Sequence, residues 1–256
     1  MLTFGRVVVV NVSRSSYMLP HNKQLVNNFS RKFEGMWLHS HIFVEISNRP
    51  NKMNYENPIR RGKLYFRYGT MGSAKTAMLL TTAYNFEERG MDYICMKPIV
   101  DNREKDSVIR SRIGIERRCS WIYPESDMYK MLTEVFDTEG LKEWILIDEA
   151  QFLSPEEVDT LSDIVDFYGI PVLCYGLRAD FQTHLFPGSR RLMEIADIIE
   201  EVPTVCWCGR RAQCNTRYAD GKIVREGAQI FLGSNESYVA LCRKHYKEGK
   251  LWKEDE

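Results

Sequence analysis

What this 256-residue chain lacks narrows it first. It has no surplus of charge of either sign, because 35 lysines and arginines stand against 35 aspartates and glutamates. A protein whose main work is coating nucleic acid usually carries a basic excess, so the balance argues against that class. No apolar run approaches the ~18 residues of a membrane span. The N-terminal valine run Val7–Val10 is short and is followed by no cleavage pattern, so we expect neither a signal peptide nor a membrane partner, and a cytoplasmic location. Histidine is scarce: beyond residue 61 only His184 and His245 remain, which leaves a catalytic histidine poorly supplied. Cysteines number seven, an odd count, and without a signal segment they read as thiols or metal ligands rather than disulfides.

What is present divides unevenly. With 44% hydrophobic and 12% aromatic residues the chain can build a substantial core. Residues 1–61 do not share its pattern: SRSS and NRPNKMNYENPIRR are rich in turn formers, and no chemical motif appears. We expect a poorly ordered extension there. From Lys63 the order becomes regular: KLYFRYG reads as a buried strand, AKTAMLLTTAYNFEERG as a helix, and MDYICMKP as a second strand. The polar run DNREKDSVIRSRIG reads as a loop, followed by a helix near 124–137. WILIDEAQF is then a strand ending in acids, and SPEEVDTLSDIVDFYG a helix with Ser154 as cap and Pro155 in its first turn. IPVLCYGL is another buried strand. Strands alternating with helices imply an α/β fold with a parallel sheet and right-handed crossovers. We therefore expect a P-loop (RecA-like) sheet flanked by helices over 62–202, a small zinc-binding lobe over 203–250, and a tail over 251–256.

Three motifs carry chemistry. The stretch GTMGSAKT (Gly69, Thr70, Met71, Gly72, Ser73, Ala74, Lys75 and Thr76) joins a strand to a helix, where backbone N–H groups and a helix N-terminus can hold a phosphate chain. Its lysine reaches the terminal phosphates and its hydroxyl ligates magnesium. Ala74 stands where the pattern asks for glycine, and a positive φ there would strain it by about 1 kcal/mol. Asp148 and Glu149 close an apolar strand, and in an open parallel sheet the carboxyl ends of strands line the ligand crevice. One acid there can hold magnesium and the other can accept a proton. Finally, Cys206 and Cys208 in VCWCG, with Cys242 and His245 in CRKHY, form two soft-ligand pairs suited to a structural zinc. Cys214 is a spare thiol that could compete.

Taken together, GTMGSAKT, DEAQF, GLRADFQTHLFPGSRRL and VCWCG…CRKHY resemble the type II (cellular-type) thymidine kinases, in order and with matching gaps over about residues 63–248. The resemblance implies transfer of the ATP γ-phosphoryl group to the 5′-hydroxyl of thymidine, with Mg2+ as cofactor and Zn2+ in a structural site. It implies Glu149 as general base, and Asp148 and Thr76 around magnesium. It also places Lys75 and the loop amides, with Asp101, Arg103 and Gln151, on the nucleotide side. Met71, Phe152, Leu177, Phe181 and Tyr238 match positions around the nucleoside, and the loop Gln229, Ile230, Phe231, Leu232 and Gly233 matches a lasso whose backbone bonds the thymine edge. A homotetramer, feedback inhibition by dTTP and no nucleic-acid partner complete what the resemblance implies. Two other classes remain open on the residues alone: a P-loop protein that binds nucleotide without turnover, and a DNA-dependent ATPase with a zinc finger. Intact Lys75, Thr76, Asp148 and Glu149 weigh against the first, and neutral charge with the DFQ…LFPGS run against the second.

Overall fold

The computed structural model describes residues 62–100, 106–124, 126–229 and 238–253, all within the unit Ile59–Glu256. The expected extension over 1–61 lies outside the described residues.

Six strands make the main sheet: β1 (Leu64–Gly69), β2 (Tyr93–Pro98), β5 (Ser120–Ile122), β6 (Trp144–Ile147), β7 (Val172–Leu177) and β8 (Ile198–Glu201). Their order is β5-β2-β6-β7-β1-β8 and every neighbouring pair is parallel. Four longer helices cover it: α1 (Lys75–Glu88), α2 (Met128–Glu139), α3 (Pro155–Tyr168) and α4 (Pro187–Ile195). Successive side chains of a strand point to opposite faces. Accordingly Ile145 and Ile147 join one core with Phe66, Met96, Leu132 and Leu161, while Leu146 joins another with Leu79, Leu80 and Ala83 of α1. Strands buried on both faces read as continuous apolar runs, which is why WILI and VLCYGL were recognisable.

The helix starts follow local chemistry. Ser154 accepts from the Glu157 amide at 3.1 Å while the Glu157 carboxylate accepts from the Ser154 amide at 2.8 Å, a closed capping box with Pro155 in the first turn. Asp127 accepts from the Lys130 amide at 3.0 Å, which starts α2 at Met128, a few residues later than the sequence reading. The N-terminus of α1 differs, since no side chain caps it.

Part of the polar run expected to be a loop is instead an antiparallel hairpin, β3 (Val108–Arg110) with β4 (Glu116–Arg118). Three-residue strands are too short for a visible alternation, and Ile109 reveals the pattern only by its burial in the core that also holds Cys95 and Leu146. Beyond β8 a three-stranded antiparallel sheet, ordered β10-β9-β11, is built from β9 (Cys214–Ala219), β10 (Lys222–Ile223) and β11 (Tyr238–Leu241), followed by the short α5 (Arg243–Glu248). It carries its own small core of Cys206, Ala212, Cys214, Leu241, Cys242, Tyr246 and Leu251.

Candidate active site

Because all six strands run one way, their carboxyl ends share one edge of the sheet, and the turns leaving β1, β6 and β7 converge there. The turn after β1 is the glycine-rich loop. A Cβ on Gly69 would come within 2.4 Å of the Ser73 hydroxyl and 2.6 Å of the Val202 carbonyl, so the loop folds back as tightly as it does only with glycine there. Gly72 has φ 78° and Ala74 has φ 63°, both left-handed. The alanine therefore sits in a conformation that favours glycine and carries its own strain. Ser73 donates its amide to the Thr70 carbonyl at 3.2 Å, and the Lys75 ammonium reaches the same carbonyl at 2.8 Å and the Ser73 hydroxyl at 3.4 Å. The Thr70 hydroxyl is buried without a partner among the described residues. Uncapped amides at the α1 start, an orphan hydroxyl and a curled lysine match what a phosphate chain requires.

Burial lowers the Lys75 pKa, and the charges of Glu149 and Asp148 oppose that shift. Asp148 sits just past β6 and accepts from the Thr76 hydroxyl at 3.1 and 3.3 Å. Burial, reinforced by the neighbouring Glu149 charge, pushes its carboxyl up to about 7. Thr76 and Asp148 are thus an oxygen-rich pair beside the phosphate loop, the donor chemistry that magnesium takes.

Glu149 is held in a left-handed conformation, φ 53°, by the 3-10 turn Ala150–Phe152 that follows it. The Gln151 side chain donates to its carboxylate at 2.5 Å and, through its own carbonyl, accepts from the Leu177 amide at 2.8 Å. Gln151 is fully buried, and a Cβ on Gly176 would meet its Oε1 at 2.8 Å. The acid is therefore positioned from two strand ends at once. Gln151, expected on the nucleotide side, has its side chain committed to Glu149 and Leu177.

Of the residues expected around a nucleoside, Phe152 is half-buried with its ring edge-on to Phe186, centroids 5.7 Å apart. Phe181 is buried under the Arg217 guanidinium, 3.9 Å from the ring centroid. Arg217 also donates to the Tyr238 hydroxyl at 2.7 Å and to the carbonyls of Ala228 at 3.0 Å and Gln229 at 3.4 Å. Gln229 in turn donates to the Asp180 carboxylate at 2.9 Å. Asn215 accepts from the Met71 amide at 2.8 Å and donates to the Ala179 carbonyl at 2.6 Å, tying the phosphate loop to the turn after β7. Asp180, Asn215 and Arg217 were not among the residues singled out from the sequence. The available signal was the alternation of polar residues on a short strand, CNTRYA, whose faces proved to be buried. Asp101, Arg103, Ile230, Phe231, Leu232 and Gly233 lie outside the described residues.

Cys206, Cys208, Cys242 and His245 bring their donor atoms within 4.8 Å of one another. Four donors on a tetrahedron with bonds of about 2.3 Å stand roughly 3.8 Å apart, so the set would take zinc by closing in about 1 Å or less. The single-residue spacing of the first pair is no obstacle: Cys206 lies 3.4 Å from the His245 Nδ1 and Cys208 3.9 Å from the Cys242 sulfur. The Trp207 ring stacks on His245, centroids 4.0 Å apart, and fixes its orientation. Cys214 is buried outside the set.

Among the described residues no helix is long and apolar enough to cross a membrane. The family model described as thymidine kinase matches residues 62–246. The chain is 46% identical over 187 residues to a protein of Pasteurella multocida (strain Pm70) named thymidine kinase, covering 73% of this chain and 97% of that one. A thymidine kinase of Ruegeria pomeroyi is also 46% identical over 187 residues, 73% of this chain and 94% of its own length. One from Legionella pneumophila (strain Paris) is 46% identical over 193 residues, 75% of this chain and 92% of its own length.

Proposed function

The chain belongs to the thymidine kinase family, and from that premise we propose how its residues divide the work of phosphorylating thymidine with ATP. The thymidine 5′-oxygen attacks the γ-phosphorus, the bond from that phosphorus to the ADP oxygen breaks, and the hydroxyl proton passes to the Glu149 carboxylate. The observation that carries this reading is the convergence of a braced acid, Glu149, with the Thr76–Asp148 pair and Lys75 at one sheet edge. Catalysis of phosphoryl transfer is mostly positioning and charge stabilisation, which suits an acid braced from two strand ends.

Residues 69–76 hold the triphosphate, with Asp101 and Arg103 completing that side. Magnesium, held by Thr76 and Asp148, would supply charge neutralisation on the phosphates. Met71, Phe152, Leu177, Phe181 and Tyr238 wall the nucleoside, and the backbone of Gln229 to Gly233 bonds the thymine edge. Residues 62–202 form the kinase body and 203–250 the lobe, whose zinc is structural. In the same reading the enzyme is a cytoplasmic homotetramer inhibited by dTTP.

The test is ATP consumption by the zinc-replete protein with magnesium, with thymidine, with DNA in its place, and with neither. Turnover should depend on thymidine and not respond to DNA. Glu149→Gln should lower kcat on the order of 10²- to 10⁴-fold with little change in thymidine KM. Turnover indifferent to thymidine, or a Glu149→Gln enzyme of ordinary rate, would overturn the assignment.

A further inference from the structure

Arg217 has no task in the reading above, yet its surroundings are costly to build. The residue is only 7% exposed, and a buried cation is unfavourable unless its donors are met. It stands on β9 directly opposite Tyr238 on β11. Successive strand residues alternate in direction. Cys214 enters the small core of the lobe, whereas Asn215 and Arg217 reach across to the turn after β7, at the Ala179 carbonyl and the Phe181 ring.

The guanidinium divides its surfaces among these neighbours. Its carbon lies over Phe181, 3.9 Å from the ring centroid, well inside the ~6 Å reach of a cation–π contact. Its Nε donates to the Tyr238 hydroxyl at 2.7 Å, Nη1 to the Ala228 carbonyl at 3.0 Å and Nη2 to the Gln229 carbonyl at 3.4 Å. A planar fork with donors in fixed directions serves three acceptors and a ring at once, which the point charge of a lysine does not. Because Nε is the donor in its bond to Tyr238, the phenol's own proton points away from Arg217. Asp180 grips the same Gln229 from the β7 side, accepting from its side-chain amide at 2.9 Å and from the Gln182 and His184 backbone amides at 2.9 Å each. The Phe181 backbone is fixed in turn by the Tyr246 hydroxyl, which donates to its carbonyl at 2.8 Å.

We propose that Arg217 is a positioning residue for the nucleoside, acting through Phe181 and Tyr238 to set the wall that receives it. This rests on the nucleoside assignment made above. Three residues of that side, Phe181, Gln229 and Tyr238, meet on one guanidinium, although they come from the turn after β7, the segment after β10 and β11. A pocket assembled from separate segments keeps its shape only if their side chains are locked from behind, and Arg217 does this without touching the substrate. Rigid placement lowers the cost of binding, so its loss appears first in thymidine affinity. None of these contacts involves residues 69–76, so the nucleotide side is spared.

The experiment measures thymidine kinetics, with thymidine and Mg-ATP affinity by calorimetry, on the zinc-replete protein. It compares wild type, Arg217→Met, Arg217→Lys, Tyr238→Phe, the double variant Arg217→Met with Tyr238→Phe, and the control Arg211→Gln. Arg217→Met should raise thymidine KM and Kd on the order of 10- to 10²-fold, with kcat lowered less and Mg-ATP affinity unchanged. Arg217→Lys should fall between it and wild type. Adding Tyr238→Phe to Arg217→Met should cost less than Tyr238→Phe costs alone, since the two residues act together. Arg211 is exposed and paired with Glu201 on β8, and its replacement should leave thymidine affinity as in wild type. Unchanged thymidine affinity in Arg217→Met, or in Arg217→Lys where the methionine variant does not fold, overturns the assignment. Equal loss of thymidine and Mg-ATP affinity overturns it too, by making Arg217 a joint of the fold. A wild type that neither binds nor phosphorylates thymidine takes down the nucleoside reading itself, an outcome distinct from a working wild type beside an unaffected variant.

Discussion

Ala74 pits two effects of comparable size against each other. Its left-handed conformation, φ 63° and ψ 20°, costs a residue with a Cβ about 1–2 kcal/mol. Glycine would remove that strain but would give back roughly 0.4–1 kcal/mol through a freer unfolded chain. Strain wins, and Ala74→Gly should stabilise the protein by about 0.5–1 kcal/mol, read as a small rise in melting temperature with kcat retained. A lower melting temperature would show that the loop relaxes around the alanine. Asp148 sets a pH dependence. Its carboxyl is pushed up to about 7 by burial and by Glu149, against roughly 3.9 in the unfolded chain. Between those values the folded protein keeps a proton that the unfolded chain releases, so stability of the ligand-free protein falls as pH rises from about 4 to 7. Asp148→Asn cannot ionise and should lose that slope. Its melting temperature should exceed wild type at pH 8 and approach it near pH 4.5, at about 2–4 °C per kcal/mol for a protein of this size. A gap that does not widen with pH would sink the argument, and turnover should be lost in the variant regardless.

Elements differ in how legibly they are written. β6 and β7 are buried nearly throughout and appear as apolar runs, β1 and β2 are half-buried in part, and α3 announces itself through Ser154, Pro155 and Glu157. The candidate site was legible to the same extent, because Lys75 and Thr76 open the helix after β1 and Asp148 and Glu149 follow β6 directly, and such junctions are readable. The hairpin β3–β4 and the edge strand β8 were not, since three or four residues cannot establish a period and their partners are distant in sequence. The positive φ at Glu149 was equally hidden. It follows from the 3-10 turn and the Gln151 brace, which depend on Leu177 and on the missing Cβ of Gly176, 26 and 25 positions from Gln151. Buried polar residues such as Asn215 and Arg217 read in sequence as a solvated strand. Only the phosphate loop packed on one side and the Phe181 ring on the other show that they are interior.

At the scale of the whole molecule, the two cores are unequal. Among the described residues the main sheet buries twenty apolar side chains in one core and eight in the other, whereas the lobe buries seven, three of them cysteines. A core that small does not hold a fold without a staple, and the Cys206, Cys208, Cys242 and His245 set is placed to supply one. The lobe in turn supplies Asn215 to the Met71 amide and the Arg217 guanidinium to the Phe181 ring. Losing metal should therefore cost the substrate side more than the sheet. We expect one zinc per chain by elemental analysis. Chelation, or Cys242→Ser, should abolish thymidine-dependent turnover and lower the melting temperature. Most far-UV circular dichroism should persist, because β1 to β8 and α1 to α4 pack on cores that the metal does not touch. Full turnover after complete zinc removal would show that the lobe stands on its own apolar contacts. Wholesale loss of helical signal would show instead that the two cores fold as one cooperative unit, with Asn215 and Arg217 as its joints.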